Sequence, residues 1–291
     1  MTDRQHNGLH RWGGLLCLAL LFALGGHAPS SLAAQSSPVS QLEMAGPDAA
    51  LPLTDAQAAM IYDYAYPLVL MRISQDLMFT VPFRPPGQPN QFIHFKQLAQ
   101  PQNRAVVLGN RNTLYSVGWV DLSEGPVRFE IPDMLDRYYV MPLLDAWTNT
   151  FVSLGSRTTG QQAQKYLLVS ASQPMPDAPP GYEIIVCPTD MVWITGRIQA
   201  DSQQDAVAAG LLQDAYVLTP NAAAESANGE MAANQYVPRY QAAQVRKPVP
   251  YSLQMTAGDY YNEFFQQWLS NPSPAQDSQM LALLAAAGIK L

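Results

Sequence analysis

The chain has 291 residues, with 16 basic and 23 acidic side chains and a net charge of −7; charged residues make up 13% of it and aromatics 10%. An acidic chain without a basic patch repels a phosphate backbone, which sets nucleic acid aside as a partner. No G-x-S-x-G, H-E-x-x-H, Walker or dinucleotide-glycine pattern occurs, so the enzyme classes carried by those motifs are set aside too.

Residues 1–34 read as a secretory signal peptide. Arg4 and Arg11 give a positive start, Leu15 to Leu24 (LLCLALLFAL) is an apolar run, and Ser31, Ala33 and Ala34 supply small residues for cleavage. The run would rise about 15 Å as a helix, roughly half a bilayer core, so it does not anchor the chain. No later run is long and apolar enough to span a membrane after cleavage, and the expected location is periplasmic or secreted.

Cleavage removes His6, His10, His27 and Cys17 and leaves one histidine, His94, and one cysteine, Cys187. It also removes Asp3, Arg4 and Arg11, leaving 14 basic and 22 acidic residues, a net of −8. An intramolecular disulfide, a multi-histidine metal centre and a cysteine-rich zinc site are excluded by this inventory. A Ser-His-Asp triad could use only His94. No cofactor or metal is expected. A calcium or magnesium site of carboxylates and carbonyls stays open, although no loop has the D-x-D-x-D-G pattern.

Residues 35–52, rich in Ser, Pro and Ala, read as a flexible leader. Thr54 caps a helix running to about Phe79, with Ile61, Tyr64, Ala65, Leu68 and Met71 at helical spacing. Pro67, lacking an N–H, should kink it. Tyr62, Tyr64 and Tyr66 read as packing. Phe83 to Asn90 is broken by Pro and Gly. The following stretch, 91–103, has no clear period; within it His94 reads as hydrogen-bonded at the edge of an apolar face.

Strands then dominate. They are predicted at 114–122, with Tyr115, Val117 and Trp119 on one side, and at 127–131, with Val127, Phe129 and Ile131 inward and Arg128 and Glu130 outward. Residues 137–147 read as covered on both faces, with Pro142 implying a bulge or an edge. Further strands are predicted at 150–154, 166–169, 182–187 and 191–198. Short strands between Gly/Pro turns favour an antiparallel arrangement over a parallel sheet.

The last third reads as helical. Asp201 or Ser202 caps a helix through Leu218 with Val207, Leu211, Ala215 and Leu218 on one stripe. Residues 222–233 read as a connector. Thr256 with Asp259 resembles a capping box, and Ser273-Pro274-Ala275-Gln276 starts a helix that should end at Gly288. The fold class is therefore α+β: an antiparallel β-sandwich or jelly-roll-like core flanked by N-terminal and C-terminal helices. Residues 53–291 form a single domain, with strands at about 110–200 and C-terminal helices at about 201–291.

The stretch from 110 to 160, NRNTLYSVGWVDLSEGPVRFEIPDMLDRYYVMPLLDAWTNTFVSLGSRTTG, resembles the core signature of the bacterial domain of unknown function 1254. AYPLVLM at 65–71, PTDMVWITGRI at 188–198 and LLQDAYVLTP at 211–220 extend the resemblance across about residues 60 to 290. It implies an exported, strand-rich module decorated by helices, and no settled activity. Members commonly have aspartate where this chain has Asn112, and an amide is neither a carboxylate base nor a strong metal ligand. Most members continue into a second module, of the domain of unknown function 1214 type. The resemblance therefore implies a single-module form, or a separate partner protein that supplies the second module.

Asp145 falls on a mostly apolar strand, where burial without a cation or several donors would cost several kcal/mol. Arg111, Arg137, Arg157 and Arg197 are the candidate cations. One reading is a structural Arg–Asp network. The other gathers Arg111, Asn112, Tyr115, Asp145, Trp147, Asn149 and Arg157 into a polar and aromatic cleft for a sugar or a carboxylate-bearing small molecule. Three functions follow: an exported binding or accessory module; a hydrolase or lyase using carboxylates such as Asp121, Asp145 and Asp190; or an interaction protein pairing with another chain.

Overall fold

A computed structural model describes residues 53–80, 87–100, 110–220, 238–240, 247–273 and 277–287. The predicted signal and leader, the connector at 222–233, the helix start at 274–276 and Gly288 lie outside the described residues.

Among the described residues nine strands build two sheets. In chain order they are β1 (Gln91–Phe95), β2 (Thr113–Asp121), β3 (Val127–Ile131), β4 (Tyr139–Asp145), β5 (Thr150–Gly155), β6 (Gln164–Ser170), β7 (Glu183–Cys187), β8 (Met191–Gln199) and β9 (Val217–Pro220). Five of them form an antiparallel sheet in the order β1-β2-β8-β4-β5, and four form a second sheet in the order β7-β6-β3-β9. Only the β6–β7 pair is parallel, among the described residues. The helices are α1 (Asp55–Thr80), α2 (Asp205–Asp214), α3 (Pro248–Ser252), α4 (Ala257–Ser270) and α5 (Ser278–Ala286).

The side-chain alternation of β2 shows why the molecule has three layers. Leu114 and Val120 face the second sheet, where they join Phe129, Tyr139, Met141 and Leu168 in one apolar cluster. Tyr115, Val117 and Trp119 face the other way and pack with Ile61, Leu68, Phe264 and Trp268 of the helices. A strand buried on both faces needs apolar residues at consecutive positions, and TLYSVGWVD supplies them. The five-stranded sheet is thus the middle layer.

β4 is a central strand, and Pro142 disturbs it. Tyr139 and Val140 pair with β8, the ladder skips Met141 and Pro142, and it resumes at Leu143. The β4–β5 register shifts just beyond, between Leu143 and Leu144. A missing N–H inside a sheet forces such an interruption. Gly196 sits opposite the gap, and the Met141 side chain occupies the space that a Cβ there would take.

α1 runs through Pro67 as one helix and reaches Thr80, with Thr54 and Gln57 capping each other at its start. α2 departs from expectation. It ends at Asp214, and Val207 and Leu211, predicted to be on its buried stripe, are 69% and 68% exposed. Leu218 lies in β9, paired with Phe129. The buried face is Ala206, Ala209, Gly210 and Gln213. Asp205 ties the start of this face down: its carboxylate takes both Arg137 Nη1 and Nη2 at 2.7 Å, and Arg137 Nη1 also donates to the Gln199 carbonyl. That face carries small residues, so the helix can lie close against the sheet. The Arg137 guanidinium holds Asp205 down to about 2.

α4 carries Tyr260, Phe264 and Trp268 inward at four-residue spacing. Its cap is the predicted one, with Thr256 Oγ1 accepting the Asp259 N–H at 3.2 Å. At its other end Asn271 pins the helix to the sheet. Asn271 Oδ1 accepts the Met191 N–H at 2.9 Å, and Asn271 O accepts Trp147 Nε1 at 3.2 Å.

Candidate functional site

The strand register separates the residues predicted to form one cleft. Tyr115 and Val140 both pair with Arg197, and Gly155, just before Arg157, pairs with Val140. Asp145 pairs with Val192, five residues along β8 and about 17 Å away at ~3.4 Å per residue. Arg111, Asn112, Tyr115 and Arg157 therefore belong to one end of the middle sheet; Asp145, Trp147 and Asn149 belong to the other.

Each of these residues has a local role. Asp145 is 3% exposed, and its acceptors are filled within its own turn, by Trp147 N at 2.9 Å, Asn149 N at 2.8 Å and Asn149 Nδ2 at 3.1 Å. Burial raises its pKa, and the Asn149 and Trp147 donors oppose that rise. No arginine meets it among the described residues: Arg137 is bound to Asp205, and Arg157 lies over the Tyr138 ring at 5.5 Å. The predicted Arg–Asp network around Asp145 is thus replaced by turn amides. Trp147 packs at 4.8 Å from the Tyr64 ring, under the helices. Tyr115 is buried on the same face, with the Arg197 guanidinium 5.9 Å from its ring centre. Arg111, Asn112, Asn149 and Arg157 are exposed.

Asp121 and Asp190, the other carboxylates suited to acid–base chemistry, are also engaged by donors of the chain. Asp121 Oδ1 accepts Ser123 N at 2.9 Å and Ser123 Oγ at 2.6 Å. Asp190 accepts the hydroxyls of Ser170 and Ser172.

His94 Nδ1 lies 2.9 Å from Ser116 Oγ, which in turn accepts Gln213 Nε2 at 3.0 Å. A hydroxyl oxygen carries two acceptor lone pairs besides its proton, so Ser116 Oγ serves both partners at once. Burial, aided by Lys96, pushes the ring down to about 4 against the pull of Asp214. A serine–histidine pair exists, but Ser116 is 1% exposed and out of reach of a substrate. Cys187 is equally buried, and its thiol is pushed up to about 12.

A different region gathers polar groups around open space. A cleft of about 700 Å³ lies between the α3–α4 corner and residues 239–240. Two buried carboxylates hold its wall. Asp76, fully buried on α1, accepts the backbone N–H groups of Arg239 at 2.8 Å and Tyr240 at 3.0 Å and pairs with Arg72 Nε at 3.3 Å. Glu263, 4% exposed on α4, accepts Tyr240 OH at 2.8 Å, Gln267 Nε2 at 2.8 Å and Arg239 Nη1 at 3.2 Å. Arg239 Nη1 also makes a close hydrogen bond to Gln266 Oε1. Burial, reinforced by Glu263, raises the Tyr240 phenol. Tyr251 stands across from Tyr240, ring centres 5.7 Å apart and planes at 71°.

Sequence reasoning missed this cleft. Its one advance signal is charge on otherwise buried faces: Arg72 and Asp76 inside MRISQDLMF, and Glu263 between Tyr260 and Phe264. Nothing local says that residues 239–240 satisfy both carboxylates. Among the described residues no cluster of three or more His, Cys, Asp or Glu side chains could hold a metal ion, and no helix is long and apolar enough to cross a membrane.

The fold and the cleft together define a class: a two-sheet, mostly antiparallel α+β module under a helical layer that carries a polar cleft. Residues 89–220, which hold both sheets, match the family described as "Protein of unknown function (DUF1254)" and form a domain of that family. No curated protein matches the chain. The crystal structure of the VPA0106 protein from Vibrio parahaemolyticus is similar at 17% identity, over 78% of this chain and 56% of that one, with a TM-score of 0.46. The chain thus spans little more than half the length of that protein.

Proposed function

We propose that the protein is an exported small-molecule binding module and that the cleft between the α3–α4 corner and residues 239–240 is its binding site. The cleft itself carries the reading. Its volume of about 700 Å³ falls within the range of about 300–1,000 Å³ usual for small-molecule sites, and aromatic rings and side-chain amides line it together. Its wall is braced by buried carboxylates on two helices, which keeps Tyr240 and Arg239 in place before a ligand arrives. The acid–base alternative draws no support from Asp121 and Asp145, whose oxygens cap their own turns, or from Asp190, which is held by the Ser170 and Ser172 hydroxyls.

A thermal-shift screen of polar metabolites against the full chain and Tyr251→Ala tests the proposal. A ligand at a hundred times its Kd stabilises the native state by about 2.7 kcal/mol, a rise of roughly 5–10 °C in a domain of this size. The expected result is such a rise in the parent protein and its loss in Tyr251→Ala. Hits that shift both proteins equally would remove the cleft from consideration.

A further inference from the structure

We infer that the cleft takes a neutral, polyhydroxylated ligand of the sugar class rather than an anion or an organic cation. This rests on the cleft being the binding site, and it concerns which chemistry the lining accepts.

Charge disfavours an anion. Arg239 is the one cation lining the cleft among the described residues, and its guanidinium is already engaged by Glu263 and Gln266. Two carboxylates, Asp259 and Glu263, line the same space and leave it net negative. The start of α4 could have drawn an anion through its unpaired N–H groups. Thr256 Oγ1 instead accepts the Asp259 N–H and donates to Asp259 Oδ2 at 2.7 Å, so a carboxylate of the chain already stands at that end of the helix.

An organic cation fares little better. Of the two carboxylates, Glu263 is sealed by Tyr240, Gln267 and Arg239 and has no open approach. Asp259 alone remains, and a single exposed carboxylate is a weak, salt-screened partner for an amine.

A neutral ligand with many hydroxyls meets complementary groups instead. Gln254 and Asn262 are exposed on the lining, and their side chains have no intramolecular hydrogen-bond partner among the described residues. Each amide offers two donors and an acceptor, which matches groups that both donate and accept. Tyr240 and Tyr251 add apolar ring surface with a polar tip, suited to the C–H face of a pyranose. The Tyr240 ring is held by Glu263 and packs against Tyr251, so the ordering left to the ligand is that of the two amide side chains.

The test is a titration of the full chain, followed by protein NMR and thermal shift, with three probe sets: glucose, maltose and cellobiose; citrate and glutamate; putrescine. The inference predicts saturable shifts with at least one saccharide, at the side-chain amides of Gln254 and Asn262, and none with the other sets. Asn262→Leu, an exposed change, should weaken that binding at least tenfold while leaving the melting temperature of the free protein unchanged. Citrate, glutamate or putrescine saturating the same amides while the saccharides do not would overturn the ligand class and leave the cleft standing. Saccharide binding indifferent to both Asn262→Leu and Tyr251→Ala, or no probe perturbing the cleft, would overturn the cleft as well.

Discussion

Two turns of the sheets and the helical layer handle carboxylates in opposite ways. In those turns the carboxylate is satisfied by its immediate neighbours: Asp145 by residues two and four positions on, Asp121 by a residue two positions on. In the helical layer the donors come from far along the chain, since Asp76 is bonded to backbone 163 and 164 positions away. A turn that satisfies its own aspartate is complete once it forms. A helix that buries Asp76 is complete only when residues 239–240 have docked. The helical layer should therefore be the more cooperative region and the more sensitive to loss of one carboxylate.

The largest effect expected from that contrast is at Asp76. Asp76→Ala strips the acceptor from two part-buried backbone N–H groups and breaks a buried ion pair with Arg72, and removal of one partner from such a pair costs about 3–5 kcal/mol. Asp145→Ala should cost less, about 1–3 kcal/mol, because the freed amides sit in a turn whose last residue, Asn149, is exposed to water. Urea unfolding of both variants reads the difference directly if the slope of the transition is unchanged. Equal losses would mean that the two regions settle charge in the same way.

The same contrast explains what the amino-acid sequence could show. Every predicted strand is present, because a two-residue period is local and the Gly/Pro turns between strands are local too. β1 was not readable: QFIHF has a half-buried residue on either side of Ile93, and only its pairing with β2 makes it a strand. The apolar run around Asp145 shows that its carboxylate needs partners, but spacing does not show that its own turn supplies enough N–H groups to replace an arginine. The cleft could not be found by period or motif, since its wall comes from three stretches of chain that meet only in the folded state. The family match over 89–220 likewise follows the strands and stops short of the cleft.

His94 provides a pH-dependent comparison between the regions. The groups facing it are Ser116 from β2, Gln213, Asp214 and Tyr216 from α2 and its exit, and Phe92 and Lys96 from its own strand and exit. Its folded-state pKa is depressed to about 4 from 6.5. A base held neutral by folding contributes stability that is fully present above about pH 6.5. That stability declines as the unfolded chain takes up the proton, and its loss is complete near pH 4. After discounting for partial exposure, the contribution is about 2 kcal/mol. His94→Phe should flatten the stability profile between pH 6.5 and 4 in urea titrations. An unchanged slope in that variant would assign the pH dependence to carboxylates elsewhere.

The smallest effect is expected on α2, where a hydrophobic stripe read from spacing and the real buried face disagree. Val207 and Leu211 would be core residues if the stripe decided the rotation, and replacing both by serine would then open a cavity costing several kcal/mol. The Arg137–Asp205 pair and the small residues Ala206, Ala209 and Gly210 decide it instead, and both side chains point to solvent. Val207→Ser combined with Leu211→Ser should therefore change stability by no more than about 0.5 kcal/mol per site. Asp205→Ala tests the cause rather than the consequence. Without that carboxylate the apolar stripe is free to compete for the sheet, and the double serine change should become more costly in the Asp205→Ala background than alone. A double-mutant cycle measures that coupling. Strict additivity would show that the small residues orient α2 without help from the ion pair.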